Sequence, residues 1–417
     1  MRKMKDSGIG WIKEIPINWD LVRNKYNFVL NKNIVGSKWD ETQLLSLTKN
    51  GIKKINDGEQ TGKVPASFAT YQIVKKDDIV MCLFDLDCSA VFSGRSQYDG
   101  MISSAYKCFK CNENLNPRYV DFYFRTVFVD RKYMRYSKNV RYSLASDEFL
   151  SLPILVPPID EQKKIGTYLD EQCEKIDEIM ADIQSQIDTL EDYKKSIISE
   201  AVTKGLDPNA KTTKSRLFYM APYNKEWSLT KIGYCCKKLW RTFVPEDMAL
   251  ICTNKGKVSV RPEEMTGKMV SEDNAMQGIK KGDIAIHGMD TWHGSVAYSD
   301  YDGKITRVVH VCDSTEDKRF IVYYLQQLAF NGVYKLISNG IRGNTSDFRS
   351  WDKVADIYIA LPKVDEQHQI SDYLEKKCAE IDSIIEDKKA QLETIENYKK
   401  SLIYEYVTGK KEVPENE

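Results

Sequence analysis

Two long stretches of this chain are copies of one another, and that repeat constrains the fold more than any other feature. Residues 160–203 and 365–408 align without a gap at a constant offset of 205, with 22 of 44 positions identical. A period of about half the 417 residues points to duplication of a whole module, because solenoid repeats recur every ~20–50 residues. In the first copy Ile165, Leu169, Gln172, Ile176, Ile179, Ile183, Ile187, Leu190, Ile197 and Ala201 recur mostly at steps of three and four. The second copy repeats this with Ile370, Leu374, Cys378, Ile381, Ile385, Leu392, Ile395, Leu402 and Tyr406. Gly166 is the only glycine in either copy, proline is absent, and Glu, Gln and Lys abound, so propensity agrees with period. Pro157-Pro158 ahead of the first copy and Pro362 ahead of the second close extended segments. Asp160 can cap, and Glu161 suits the positive end of the helix dipole, as Asp365 and Glu366 do in the second copy. The reading is two rods of some 44 residues, each about 65 Å long at 1.5 Å per residue. A rod with a narrow apolar stripe is unstable alone, so the two are expected to pair antiparallel as a coiled coil; separate burial in two domains is the alternative.

The segments between the rods mix short β-like runs with turns. Ile73-Val74-Lys75-Lys76-Asp77-Asp78-Ile79-Val80 has an analogue in Ile279-Lys280-Lys281-Gly282-Asp283-Ile284-Ala285-Ile286, and Asn18-Trp19-Asp20-Leu21 resembles Glu226-Trp227-Ser228-Leu229. The expected fold class is therefore α/β (mixed α+β), two globular domains separated by two long helices in a pseudo-twofold arrangement. The boundaries read 1–158, rod 159–205, 206–360, rod 361–410 and a tail 411–417. Rods kept alike while the globular parts diverge suggest one common mechanical task and two different recognition tasks.

Charge divides along the same lines. Formal net charge is zero, with 61 Lys plus Arg against 61 Asp plus Glu. Residues 1–150 nevertheless carry 24 basic and 17 acidic side chains, and residues 211–358 carry 22 and 17. The rods carry 5 against 12 and 6 against 11. A polyanion is drawn to the globular parts and repelled by the rods, although an acidic rod is also what a solvated helix face looks like. The densest basic patch is 131–142, where Arg131, Lys132, Tyr133, Arg135, Lys138, Asn139, Arg141 and Tyr142 are candidate DNA contacts. Arg forks and Asn amides read base edges, while Lys and Tyr hydroxyls hold phosphates. The alternative is a basic helix face with its tyrosines turned inward. In the second half Arg342, Asn344 and Arg349 are the candidates, in a glycine-bearing loop that allows close backbone approach. Asp290-Thr291-Trp292-His293-Gly294 reads as structural.

Catalytic signals are absent. There is no G-x-x-x-x-G-K-[ST] loop and no G-x-G-x-x-G after a strand. Cys108-Phe109-Lys110-Cys111 is a lone C-x-x-C with no second pair, Cys235-Cys236 does not complete it, and the four histidines show no ligand spacing. No catalytic, cofactor or metal residue is expected in this chain. No apolar run reaches membrane-spanning length, the start lacks a secretory leader's apolar stretch, and ten scattered cysteines suit a reducing compartment, so the expected location is cytoplasmic.

Leu152-Pro153-Ile154-Leu155-Val156-Pro157-Pro158-Ile159-Asp160-Glu161-Gln162, and again Leu361-Pro362-Lys363-Val364-Asp365-Glu366-Gln367, resemble the helix entry of type I restriction–modification specificity subunits. Gly10-Trp11-Ile12-Lys13-Glu14-Ile15-Pro16 near the start and Ser401-Leu402-Ile403-Tyr404-Glu405-Tyr406-Val407-Thr408-Gly409 near the end also resemble that family. The resemblance runs through the chain in the order recognition domain, helix, recognition domain, helix; Lys363, in place of a second proline, is a minor departure. It implies a non-catalytic chain whose two target-recognition domains each read half of a bipartite double-stranded DNA site, with the helix pair setting the spacer. It further implies two modification (methyltransferase) subunits as partners, which use S-adenosylmethionine, and restriction subunits that use ATP, with no cofactor in the chain itself. A duplicated coiled-coil adaptor that binds only proteins is the competing reading.

Overall fold

The computed structural model describes residues 2–49, 51–56, 67–137, 142–262, 275–338 and 347–414. They divide into two compact units, residues 1–184 with 390–417, and residues 185–389. Each unit holds one globular domain, the start of the helix that follows it and the end of the other long helix.

The duplication is visible strand by strand. In the first unit an antiparallel sheet runs in the order Phe28–Asn31, Lys107–Cys111, Ile79–Met81, Ser93–Arg95. In the second the order is Cys236–Leu239, Val309–Ser314, Ile284–His287, Val296–Tyr298. A helix packs beside each sheet, Pro117–Phe128 in the first unit and Lys318–Phe330 in the second. The segment leading into each rod is a strand paired antiparallel with one near the domain's start, Pro153–Val156 with Asp20–Arg23 and Tyr358–Leu361 with Ser228–Lys231.

The shared sequence islands prove to be shared turns. Lys75 N donates to Asp78 Oδ2 at 2.9 Å and Lys280 N to Asp283 Oδ2 at 2.8 Å. Asp77 and Gly282 occupy the same left-handed position, φ 71° and 90°, which an Asp tolerates and a Gly adopts freely. Lys76 N and Lys281 N then donate to Asp99 and Asp302.

The long helices span Ile159–Lys204 and Val364–Val407. Asp160 lies inside the first turn rather than at the cap. Within the first unit, Ile165, Leu169, Cys173 and Ile176 share a core with Leu402, Ile403, Tyr406 and Val407, and Lys399 Nζ meets Asp177 Oδ1 at 2.5 Å. Within the second, Ile198, Ala201 and Val202 share a core with Ile370, Leu374 and Cys378; Lys194 bonds Asp382 at 2.7 Å and Lys388 bonds Gln186. Partner numbers fall along one helix as they rise along the other, so in each unit the two segments run antiparallel. Ile179 departs from the expected stripe, being 51% exposed.

The D-E-Q triplet at each helix start fastens the helix to its domain. Glu161 Oε2 accepts from Trp19 Nε1 at 3.0 Å, and Glu366 Oε1 from Trp227 Nε1 at 3.3 Å. Gln162 Oε1 accepts from the backbone N–H of Asn116, the N-cap of Pro117–Phe128, while its amide donates to the carbonyls of Asn114 and Pro157. Gln367 repeats this with the N–H of Asp317, the N-cap of Lys318–Phe330, the Glu316 carboxylate and the Pro362 carbonyl. The end of the opposite helix seats on the same tryptophan. Gly409 follows the second helix at φ 71°, and a Cβ there would lie 3.0 Å from the Trp19 ring; Gly205 follows the first at φ 86°, 3.3 Å from Trp227.

Candidate nucleic-acid interface

The basic stretch 131–142 does not form one surface. Val129–Tyr136 is a short 3-10 helix continuing from Pro117–Phe128. Its first three candidates face the domain. Arg131, at φ 52°, donates to the carbonyls of Leu86 and Ser89 at 3.2 and 2.6 Å and lies over the Phe128 ring. Lys132 is 8% exposed, donates to the Thr126 carbonyl at 2.8 Å and sits 5.0 Å from the Trp11 ring centroid. Tyr133 is 3% exposed, packed edge-on to Phe92 and Phe124. Lys132 and Tyr133 are thus buried, and the half-buried Arg131 turns its guanidinium to backbone carbonyls, a placement that burying a ring and capping carbonyls favours. Arg135 is exposed and Tyr142 is 40% exposed. Lys138, Asn139 and Arg141 lie outside the described residues, as do Arg342 and Asn344. Arg349 is exposed, beside the buried Phe348. Among the described candidates the exposed ones are Arg135, Tyr142 and Arg349.

A cleft of about 1110 Å³ in the first unit, lined in part by Lys49, Arg125, Lys399 and Lys400, is not a second basic site. Arg125 pairs with Asp121 at 2.7 Å, Lys399 with Asp177, and Lys400 with Glu396 at 2.8 Å, so most of its charge is spent internally. The C-x-x-C pair lies in strand Lys107–Cys111, where burial pushes both the Cys108 and Cys111 thiols up to about 12. Thiols that hold their protons are poor ligands, and among the described residues no cluster of His, Cys, Asp and Glu has metal-site geometry. Asp290-Thr291-Trp292-His293-Gly294 forms a 3-10 turn over the buried Thr291, closed by Gly294 at φ 80°. No helix is long and apolar enough to cross a membrane among the described residues.

No protein-family model matches the chain. A putative type I restriction enzyme MjaX specificity subunit from Methanocaldococcus jannaschii is 22% identical over 96% of this chain and 95% of its own length. The MjaVIII specificity subunit of the same organism is 25% identical over 63% of each. In sequence the chain is thus similar to type I restriction specificity subunits. The fold is shared with a solved chain described under complex assembly and conformational transition of the type I R-M system, which superposes with a TM-score of 0.67. It covers 95% of this chain and 99% of the other at 13% identity.

Among the features that the sequence pattern missed is a repeated outer face on the rods. In the first unit Tyr398 is 58% and Ile179 51% exposed; in the second Tyr193 is 57%, Ile384 44% and Tyr373 38% exposed. Ile179 and Ile384, and Tyr193 and Tyr398, are each the same residue 205 positions apart; Tyr373 has no exposed counterpart, since Tyr168 packs on Tyr406. Identity between the copies at positions away from the seam was the signal that could have found them.

Proposed function

We propose that the chain is the specificity subunit of a type I restriction–modification complex, non-catalytic in itself. Each globular domain reads one half of a bipartite double-stranded DNA target, and the rods set the unspecified spacer and dock two modification subunits that methylate adenine. S-adenosylmethionine is held by those subunits, ATP by restriction subunits where they join, and the complex works in the cytoplasm. The observation that carries this reading is the uneven divergence of the copies. The rods keep the same tyrosine and isoleucine exposed in each unit, as two copies of one partner require. The basic globular domains keep strand order but change their surface residues, as two different half-sites require.

The test is reconstitution with a type I modification methyltransferase subunit. Sedimentation is expected to give two modification subunits per chain, and methylome sequencing of a host carrying the complex an asymmetric two-part adenine-methylated site. The purified chain alone is expected to transfer no methyl group and hydrolyse no ATP. A complex that binds random and cognate duplexes alike would leave the chain a protein-binding adaptor.

A further inference from the structure

In the second unit, strand Cys236–Leu239 runs out into a segment, residues 240–248, that is held firmly yet exposes apolar side chains. Arg241 gives the buried Asp283 two hydrogen bonds at 2.7 and 2.8 Å. Asp247 accepts from Val244 N at 2.9 Å, and Lys304 Nζ donates to the Pro245 carbonyl. Gly278 and Gly303 admit the segment, since a Cβ on either would collide with the carbonyls of Thr242 and Met248. On this fixed backbone Trp240 is 65% exposed and Val244 54%.

The indole gathers cations. Lys238 Nζ lies 5.0 Å and the Arg307 guanidinium 6.0 Å from its ring centroid, and no carboxylate among the described residues pairs with either. Arg349 adjoins them through the backbone. Gly288 N donates to the carbonyl of Val308, next to Arg307, and a Cβ at Gly288 would lie 3.0 Å from Arg349 Cα. By strand register, Phe28 opposite Cys111 and Cys236 opposite Ser314, the first unit has Lys32 and Leu30 where the second has Trp240 and Lys238. The cluster belongs to one unit alone, and nothing in the packing of that unit requires an exposed tryptophan.

We propose that Lys238, Trp240 and Arg307, continuous with Arg349, form a duplex-DNA contact of the second unit, the cations taking backbone phosphates and the indole lying against a base edge. This deepens the reading of the chain as a specificity subunit and rests on it. A ring that holds two cations in place lowers the ordering cost of phosphate contact, and apolar wedges beside cations are how proteins engage a groove.

The experiment uses the complex with its modification subunits, titrated with target duplexes altered in one half-site at a time, over a range of salt. The double variant Lys238→Ala/Arg307→Ala is expected to lose at least about tenfold in affinity and to flatten the log–log salt slope by about 2, roughly one unit per phosphate contact. Trp240→Ala is expected to relax discrimination in one half-site and leave the other intact, with an unchanged melting temperature because the ring is exposed. Wild-type affinity, salt slope and discrimination in all these variants would sink the proposal while leaving DNA reading standing. Loss of discrimination in both half-sites by Trp240→Ala would also sink it. Failure of the unaltered complex to tell cognate from random DNA would instead remove the reading on which the proposal rests.

Discussion

Gln162 and Gln367 are wholly buried, and each joins a helix start to the N-cap of another helix by three hydrogen bonds. Gln162→Leu is nearly isosteric but strands one N–H and two carbonyls, at about 1–3 kcal/mol for each group left unsatisfied. Denaturant melts of that variant are expected to show a loss of at least about 2 kcal/mol, and Gln162→Glu, which keeps an acceptor for Asn116 N but turns a buried carboxylate on two carbonyls, is expected to be destabilised as well. Equal stability of Gln162→Leu and the parent would contradict the fastening role. The sequence showed these glutamines as part of a helix-entry signature and said nothing of their partners, most of which lie 46 to 51 residues earlier in the chain. Distance along the chain also hides the surroundings of 131–133. A run of cations and tyrosines looks alike whether it coats a surface or plugs a core, and Trp11 and Phe92, far off in sequence, decide which together with the nearby Phe124.

The long helices were the most legible elements, because a 3.6-residue period sustained over eleven or twelve turns and then duplicated leaves little else to form. What the period did not disclose is that two faces are apolar: the seam, and the outer positions Ile179 and Ile384. Burial separates them. Ile187 is 2% exposed while Leu392 is half-buried. Ile187→Asp therefore places a carboxylate in the seam, at a cost of several kcal/mol, and Leu392→Asp is expected to cost clearly less. Thermal melts that rank the two the other way would overturn this assignment of the seam. Ile179→Asp should leave the melt of the isolated chain unchanged. The globular strands were legible only as islands, since runs of three to five residues carry too few alternations to fix a register. The Lys-Lys-Asp-Asp and Lys-Lys-Gly-Asp turns survived because one left-handed residue and one carboxylate dictate them.

At the scale of the molecule the two units share an architecture but are expected to differ in pH response. All four histidines lie in residues 185–389. Burial holds His287 and His310 below the ordinary imidazole range, so the unfolded chain binds more protons than the folded one as pH falls. Stability from these two groups is complete above about pH 6.5 and drains away as pH drops through that value toward the depressed folded pKa. Hydrogen exchange between pH 7 and 5 is expected to show the second unit loosening before the first, and His310→Gln to blunt the effect; equal loosening of both units would refute it. The duplication itself could be read from the sequence, but the composition of each unit could not, because the first draws its final residues from the far end of the chain. That has a consequence for synthesis. A nascent chain translated as far as residue 389 has made every strand of its first domain yet lacks Tyr406, Val407 and Gly409. Until they emerge, Tyr119 has no Val407 carbonyl to meet and Trp19 no helix end to cover it. The ribosome thus finishes the second unit while the first still waits with part of its core open to water, and a transcript cut short near its end leaves the earlier-made domain, not the later one, exposed to proteases and aggregation.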